Sequence, residues 1–180
     1  LFALEKNRVK KLIKDWLQLE TQRGPFEVIH TEKKTKIKLG ELSFCLAIDR
    51  IDQIGQKLFV IDYKTGTLSP ARWNDERLLD PQLPAYVLSV EPHADGLAYA
   101  QLKAGDLRWI GQSAIDLDMR LEEIKDWSGQ LDNWKEKLMN LANEFEAGDI
   151  SFVIHDKNRF KHQEFLFPVN RWPELFLITE

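Results

Sequence analysis

Two apolar runs joined by a glycine turn, with carboxylates set into both, constrain this chain more than any other feature. The runs are Leu42 to Ile51 and Leu58 to Tyr63, and the polar break between them carries Gly55. Runs of this length around a turn signal read as paired strands. From Leu46 to Gly66 the sequence is LAIDRIDQIGQKLFVIDYKTG, with acidic residues at Asp49, Asp52 and Asp62 and Lys64 two after Asp62. Strand side chains alternate faces, so Asp62 and Lys64 project one way while Ile61 and Tyr63 project the other. A turn centred on Gly55 and Gln56 sets Asp49 opposite Asp62. Two carboxylates and an ammonium then share one patch of sheet surface.

Such a patch is costly, because buried carboxylates lose hydration and adjacent ones repel. A divalent cation offsets both effects; Mg²⁺ is held by one or two carboxylates together with waters and substrate phosphates. The spacing alone serves equally well for a structural Asp–Lys ion pair within a sheet.

The same residues resemble motifs II and III of the PD-(D/E)XK nucleases, in the RecB-like branch. The fit is closest to the C-terminal nuclease of AddB-type and related repair proteins, whose pattern is DRID, then IDYKTG, then QLPxY. This chain has Asp49-Arg50-Ile51-Asp52, then Ile61-Asp62-Tyr63-Lys64-Thr65-Gly66, then Gln82-Leu83-Pro84-Ala85-Tyr86. Each motif is weak alone, and the signal lies in their order and spacing. The last part of the chain is much less telling.

The resemblance implies a PD-(D/E)XK restriction-endonuclease-like α/β fold, a mixed central sheet flanked by helices. It implies Mg²⁺ or Mn²⁺ held by Asp49, Asp62 and the backbone carbonyl of Tyr63. Lys64 orients the attacking water and faces the charge that develops on the phosphate. Gln82 and Tyr86 stand beside the site and help hold substrate or nucleophile. Glu32, after the first strand, and Arg50 and Asp52 of the DRID motif are further candidates. The chain departs from the family in two places. No histidine lies on the first helix, where many relatives carry a metal ligand, and Leu46 stands where a glycine is usual. Cys45 is the one cysteine, so the iron–sulfur cluster of several relatives is not expected within this chain.

A length of 180 residues suits one domain, 1–180. Leu1 is not an initiator methionine, so the reading is a C-terminal fragment of a longer protein. No apolar run approaches the roughly 18 residues of a membrane span. One cysteine excludes an internal disulfide and fits a reducing, cytoplasmic setting, with Cys45 expected in the core. The net charge of −4 does not advertise a nucleic-acid binder, so a DNA site has to rest on local cations and a metal.

In chain order, residues 2 to 20 read as an amphipathic helix with Val9, Leu12, Ile13, Trp16 and Leu17 as its apolar stripe. Lys6, Arg8, Lys10, Lys11 and Lys14 lie mostly off that stripe, as a solvated face. Phe26 to Thr31 and Lys36 to Leu39 read as short strands around a charged turn at Glu32 to Lys34. Asp80 and Pro81 open a helix carrying Gln82 and Tyr86 on one face. Leu97 to Lys103 and Leu107 to Ser113 form a hairpin. A long helix is expected from Met119 to Ala147, with Ile124, Trp127, Leu131, Trp134, Leu138, Leu141 and Phe145 on one face, a kink at Ser128-Gly129 and Gly148 at its end. Residues 149 to 180 interleave aromatic and basic side chains, with His155 and His162 lacking a metal-ligand arrangement.

The expected activity is metal-dependent hydrolysis of DNA phosphodiesters, as an exonuclease in repair or recombination. DNA is the expected partner, with a helicase or helicase-like region of the same or a partner chain. The rival from another class is an inactive nuclease-fold module kept for DNA binding or scaffolding. A third reading is a plain interaction domain with a structural Asp–Lys pair.

Overall fold

The computed structural model describes residues 2–68, 73–117 and 119–148. They belong to one compact unit, Leu1–Gly148. The aromatic and basic residues of the C-terminal stretch, His155 and His162 among them, lie outside the described residues.

The elements are α1 (Phe2–Glu20), β1 (Glu27–Leu39), β2 (Leu42–Ile54), β3 (Lys57–Lys64), α2 (Gln82–Leu88), β4 (Gly96–Lys103), β5 (Asp106–Ser113), β6 (Glu122–Glu123) and α3 (Trp127–Glu146). The strands form a six-stranded mixed sheet in sequence order. Hairpins join β1 to β2, β2 to β3 and β4 to β5, whereas β3–β4 and β5–β6 are parallel. Gly55 at φ 61° and Gly105 at φ 78° turn two of those hairpins, a conformation that only glycine adopts without strain. The parallel step from β3 to β4 needs a crossover, and α2 lies within it.

Each face of the sheet has its own core. Trp16 of α1 packs with Phe59, Ile61, Ala98, Ala100 and Trp109. The other face buries Val60, Leu97 and Tyr99 with Leu83, Tyr86 and Val87 of α2 and Trp134, Leu138 and Ala142 of α3. This is the mixed sheet flanked by helices that the motifs imply.

β2 breaks its own alternation at the position that matters most. Ile48 and Ile51 are three residues apart, yet both are fully buried in the same core. A regular strand would send them to opposite faces. β2 therefore turns over between them, next to Asp49. On the neighbouring strand, Glu32 sits between the pairs Thr31–Arg50 and Lys33–Ile48 and takes φ 50°, strained for a residue with a side chain.

Several expectations are corrected. β1 is one continuous strand rather than two around a turn. Its charged middle is tolerated because β1 is an edge strand among the described residues and its side chains are mostly exposed. α3 begins at Trp127 rather than Met119, because Asp126 caps it through the Gly129 amide and Ile124 bonds to Ser113 at the sheet edge. Ser128 and Gly129 thus lie in its first turn and mark no kink. Gly148 ends it at φ 65° as expected, but Phe145 is 75 % exposed. Cys45 is exposed rather than core. On α1, Trp16 is buried, whereas Val9, Ile13 and Leu17 face outward. Its cations are solvated, with Arg8 paired to Glu5 and Lys11 to Asp15.

Candidate active site

The end of β3, the start of α2 and the turning point of β2 meet on one face of the sheet. β3 brings Asp62, only 2 % exposed, into register with Tyr99 of β4. Alternation puts Lys64 on the same side, and its Nζ lies 2.6 Å from Asp62 Oδ2. Gln82, the first residue of α2, reaches back over this pair. Its Nε2 donates to Asp62 Oδ1 at 2.8 Å and to the Tyr86 hydroxyl at 2.9 Å, and its Oε1 accepts from Lys64 Nζ at 2.8 Å. Asp62, Lys64 and Gln82 therefore close a three-membered ring of polar contacts. Asp62, which only accepts, and Lys64, which only donates, fix which way round the Gln82 amide sits, and Tyr86, one helical turn on, braces it.

Asp49 joins from β2. The register runs from Ile54–Lys57 to Arg50–Ile61, and one further step sets Asp49 opposite Asp62. The regular ladder stops there, where β2 turns over. Asp49 Oδ2 instead accepts the Tyr63 N–H at 2.9 Å. The N–H and C=O of one strand residue point the same way, so the Tyr63 carbonyl is directed toward Asp49 as well.

Burial raises the pKa of Asp62 above that of an ordinary aspartate, Lys64 opposes the shift, and Asp49 and Asp80 add to it. Each carboxylate oxygen has a different partner, the Gln82 amide on Oδ1 and the Lys64 ammonium on Oδ2. Oδ2 is buried and is met by the Lys64 ammonium at 2.6 Å rather than by a neutral donor.

The DRID motif splits between the two faces. Arg50 and Asp52 do not join the ring. Arg50 grips Asp52 with two bonds, 2.6 Å to Oδ1 and 2.9 Å to Oδ2, and reaches Glu20 of α1 at 2.7 Å and the Tyr63 hydroxyl at 2.8 Å. Arg23 adds a contact of 2.9 Å to Asp52, and Trp16 Nε1 donates to Glu20 at 3.2 Å. Burial pulls the Arg50 pKa down, but its bonds to Asp52 and Tyr63 outweigh that and leave it raised. This buried network ties α1 to the back of the sheet. Glu32 is exposed, and no described contact joins it to the ring.

Asp80 is a carboxylate that the sequence reading assigned elsewhere. It does not cap α2: Pro81 occupies that position, without a side-chain cap. Asp80 Oδ1 accepts the Tyr99 hydroxyl at 2.8 Å, and the face of Tyr99 lies 5.2 Å from Lys64 Nζ. A carboxylate before a proline looks like a cap in sequence, and nothing local signals a partner on β4.

A family model described as the PD-(D/E)XK nuclease superfamily matches residues 2–157. The chain belongs to that superfamily. Membership supports a nuclease, and PD-(D/E)XK nucleases generally work with divalent metal ions. No curated protein matches the chain. Among solved structures, one titled "Crystal structure of SSO0001" is 15 % identical, aligned over 93 % of this chain and 66 % of that one, with a TM-score of 0.41. The chain thus spans under two thirds of that structure, and a likeness of this degree carries no functional argument. Among the described residues, no helix is long and apolar enough to cross a membrane.

Among the described residues, no three His, Cys, Asp or Glu side chains are grouped to hold a metal ion. The donor set that fits a PD-(D/E)XK metal is smaller: two carboxylates, Asp49 and Asp62, and a backbone carbonyl. It suits a hard cation that keeps several waters. Such an ion would share the Asp62 carboxylate with the Lys64 ammonium and would relieve the charge repulsion that Asp49 exerts on it.

Proposed function

We propose that the chain is a metal-dependent deoxyribonuclease of the RecB-like branch, with Asp49, Asp62, Lys64, Gln82 and Tyr86 as its site. The observation that carries this reading is the closed Asp62–Lys64–Gln82 ring, with Asp49 beside it accepting the Tyr63 N–H. A purely structural ion pair would not need an amide from another element bridging the pair, nor a second carboxylate, Asp49, set close by.

Asp49, Asp62 and the Tyr63 carbonyl would hold Mg²⁺ or Mn²⁺. Such an ion, when bound, lowers the pKa of a water and polarises the scissile phosphate. Lys64 presents a compact ammonium to the charge that develops on the phosphate as water attacks. Gln82 holds Lys64 and Asp62 at fixed separation, and Tyr86 braces its amide by accepting from Nε2. Hydrolysis breaks the bond between phosphorus and the leaving sugar oxygen, and the water's oxygen takes that place. The setting that fits the motifs is exonucleolytic processing in DNA repair or recombination in the cytoplasm, alongside a helicase or helicase-like region of the same or a partner chain.

The test is cleavage of end-labelled linear DNA by the full chain with Mg²⁺ or Mn²⁺, compared with Lys64→Ala and Asp62→Ala. Both substitutions should lower the rate by about 100-fold or more, the scale of removing one group that stabilises transition-state charge. DNA affinity should persist in Lys64→Ala, since phosphate contacts are spread over many cations. Wild-type cleavage by Lys64→Ala would remove the ring from the mechanism. Tight DNA binding by the unaltered chain without cleavage in either metal would favour an inactive nuclease-fold module.

A further inference from the structure

Lys64 has to be held where it is. A lysine carries four side-chain torsions, and its ammonium is only useful to a reaction if those are fixed before substrate arrives. Two of its contacts belong to the ring already described, Asp62 and Gln82. The third comes from β4. Tyr99 pairs in register with Asp62 and is 2 % exposed, and its ring stands 5.2 Å from Lys64 Nζ. An aromatic face at that distance attracts an ammonium.

The ring could still pivot unless its far end were tied. That end is the hydroxyl, which donates to Asp80 Oδ1 at 2.8 Å. Asp80 lies two residues before Gln82, so the same short segment anchors both the amide and the aromatic face that touch Lys64.

We infer that Tyr99 and Asp80 are positioning residues for Lys64: Asp80 anchors the Tyr99 hydroxyl, and the anchored ring backs the ammonium against Asp62 and Gln82. The inference rests on the proposed nuclease site and adds residues that lie outside its three sequence motifs. Neither residue touches the reacting atoms. Their effect passes through the hydrogen bond between them, which fixes what each substitution does. Tyr99→Phe keeps the ring and loses the anchor. Asp80→Ala loses the same anchor from the other side. Asp80→Asn keeps an acceptor oxygen for the hydroxyl and loses only the charge.

The experiment is steady-state DNA cleavage by the full chain and these variants, with Lys64→Ala as reference. Thermal melting, and the ring-current shift of the Lys64 Hε protons by NMR without metal, are measured alongside. Tyr99→Phe and Asp80→Ala should each lower kcat by about tenfold with KM unchanged, as expected for a group that acts on transition-state geometry. The double variant should be no slower than either single one, because both remove one bond. Asp80→Asn should restore most of the loss. The Lys64 Hε shift should shrink in Tyr99→Phe and Asp80→Ala and return in Asp80→Asn. Additive losses, an Asp80→Asn as slow as Asp80→Ala, or an unmoved Hε shift would each overturn the inference. If Lys64→Ala itself cleaves normally, the nuclease reading fails; if Lys64→Ala is inactive while Tyr99→Phe and Asp80→Ala are as fast as wild type, only the positioning role fails. Should Asp80→Ala melt too low to assay, the Tyr99→Phe shift and kcat decide.

Discussion

Gln82 Nε2 donates to Asp62 Oδ1 at 2.8 Å, across the gap between a helix start and a strand end. The residues are 20 apart in sequence, and the bond exists because α2 begins directly above the end of β3. Its consequence is a division of labour. Lys64 Nζ sits 2.6 Å from Asp62 Oδ2. The carboxylate is held from one side by a neutral amide and from the other by the Lys64 ammonium, with which a metal ion would have to share Oδ2.

Gln82→Ala should therefore lower cleavage by about 10- to 100-fold, the usual effect of losing a partner that orients a metal ligand. The fold should persist, because Gln82 is half-exposed. Gln82→Glu should be worse in its metal requirement. It removes the Nε2 donor and sets another carboxylate against Asp62, so more Mg²⁺ is needed for half-maximal rate. A Mg²⁺ titration of both variants checks this; a wild-type midpoint in Gln82→Glu would refute it.

Asp52 gives a contrasting prediction. It is fully buried and carries bonds from Arg50 and a contact from Arg23. Asp52→Ala strands two buried guanidinium groups, and breaking a buried pair in this way costs about 3–5 kcal/mol. Urea denaturation should show that loss as a lower midpoint. Cleavage at a temperature where the variant remains folded should fall far less than in Asp62→Ala, because Asp52 sits on the back of the sheet. Equal losses of activity in the two variants would place Asp52 in the site after all.

Gly111 tests the sheet rather than the site. A Cβ there would run into the Leu97 carbonyl and Ala98 of β4. Gly111→Ala must push β5 away from β4, and overpacking of this kind costs about 1–3 kcal/mol. Thermal melting should fall accordingly, and an unchanged midpoint would show that the two strands give way freely.

The central hairpin and its carboxylates were legible because their signals are local. Alternation, a glycine at positive φ and an apolar run fix β2 and β3 without help from the rest of the chain. Gln82 and Tyr86 were legible through spacing, since four residues make one helical turn. What escaped reading depends on partners far away in sequence. Glu32 to Lys34 look like a turn because their charges are evident, while the edge position that lets a strand carry them is a property of the whole sheet. Arg50 and Asp52 lie one and three residues after Asp49, so alternation alone sends them to the other face, a separation that the motif grouping hid. Asp80 reads as a cap because its acceptor role depends on Tyr99 of β4. The outward side chains Val9, Ile13 and Leu17 share a periodicity with Trp16, and periodicity does not say how wide a stripe is covered.

The last prediction concerns stability, and its sign follows from Asp62. Burial, helped by Asp49 and Asp80, raises the folded-state pKa of Asp62 above its unfolded value, with Lys64 only partly opposing. The unfolded chain therefore ionises this carboxylate more readily than the folded one. At neutral pH without metal, the ionised Asp62 works against folding. That penalty fades as pH falls through the raised folded-state pKa. Asp62→Asn keeps an oxygen to accept from Gln82 and removes the charge. In EDTA at pH 7 it should melt above wild type, by about 2–4 °C for each kcal/mol relieved. The gap should close as pH is lowered toward the ordinary aspartate range. Saturating Mg²⁺ should reverse the order at pH 7, because the cation stabilises only the chain that binds it. Scanning melts of both proteins across pH, with EDTA and with Mg²⁺, measure all of this. An Asp62→Asn that melts well below wild type in EDTA at pH 7 would mean that the Lys64 contact outweighs burial, and that the pair is structural.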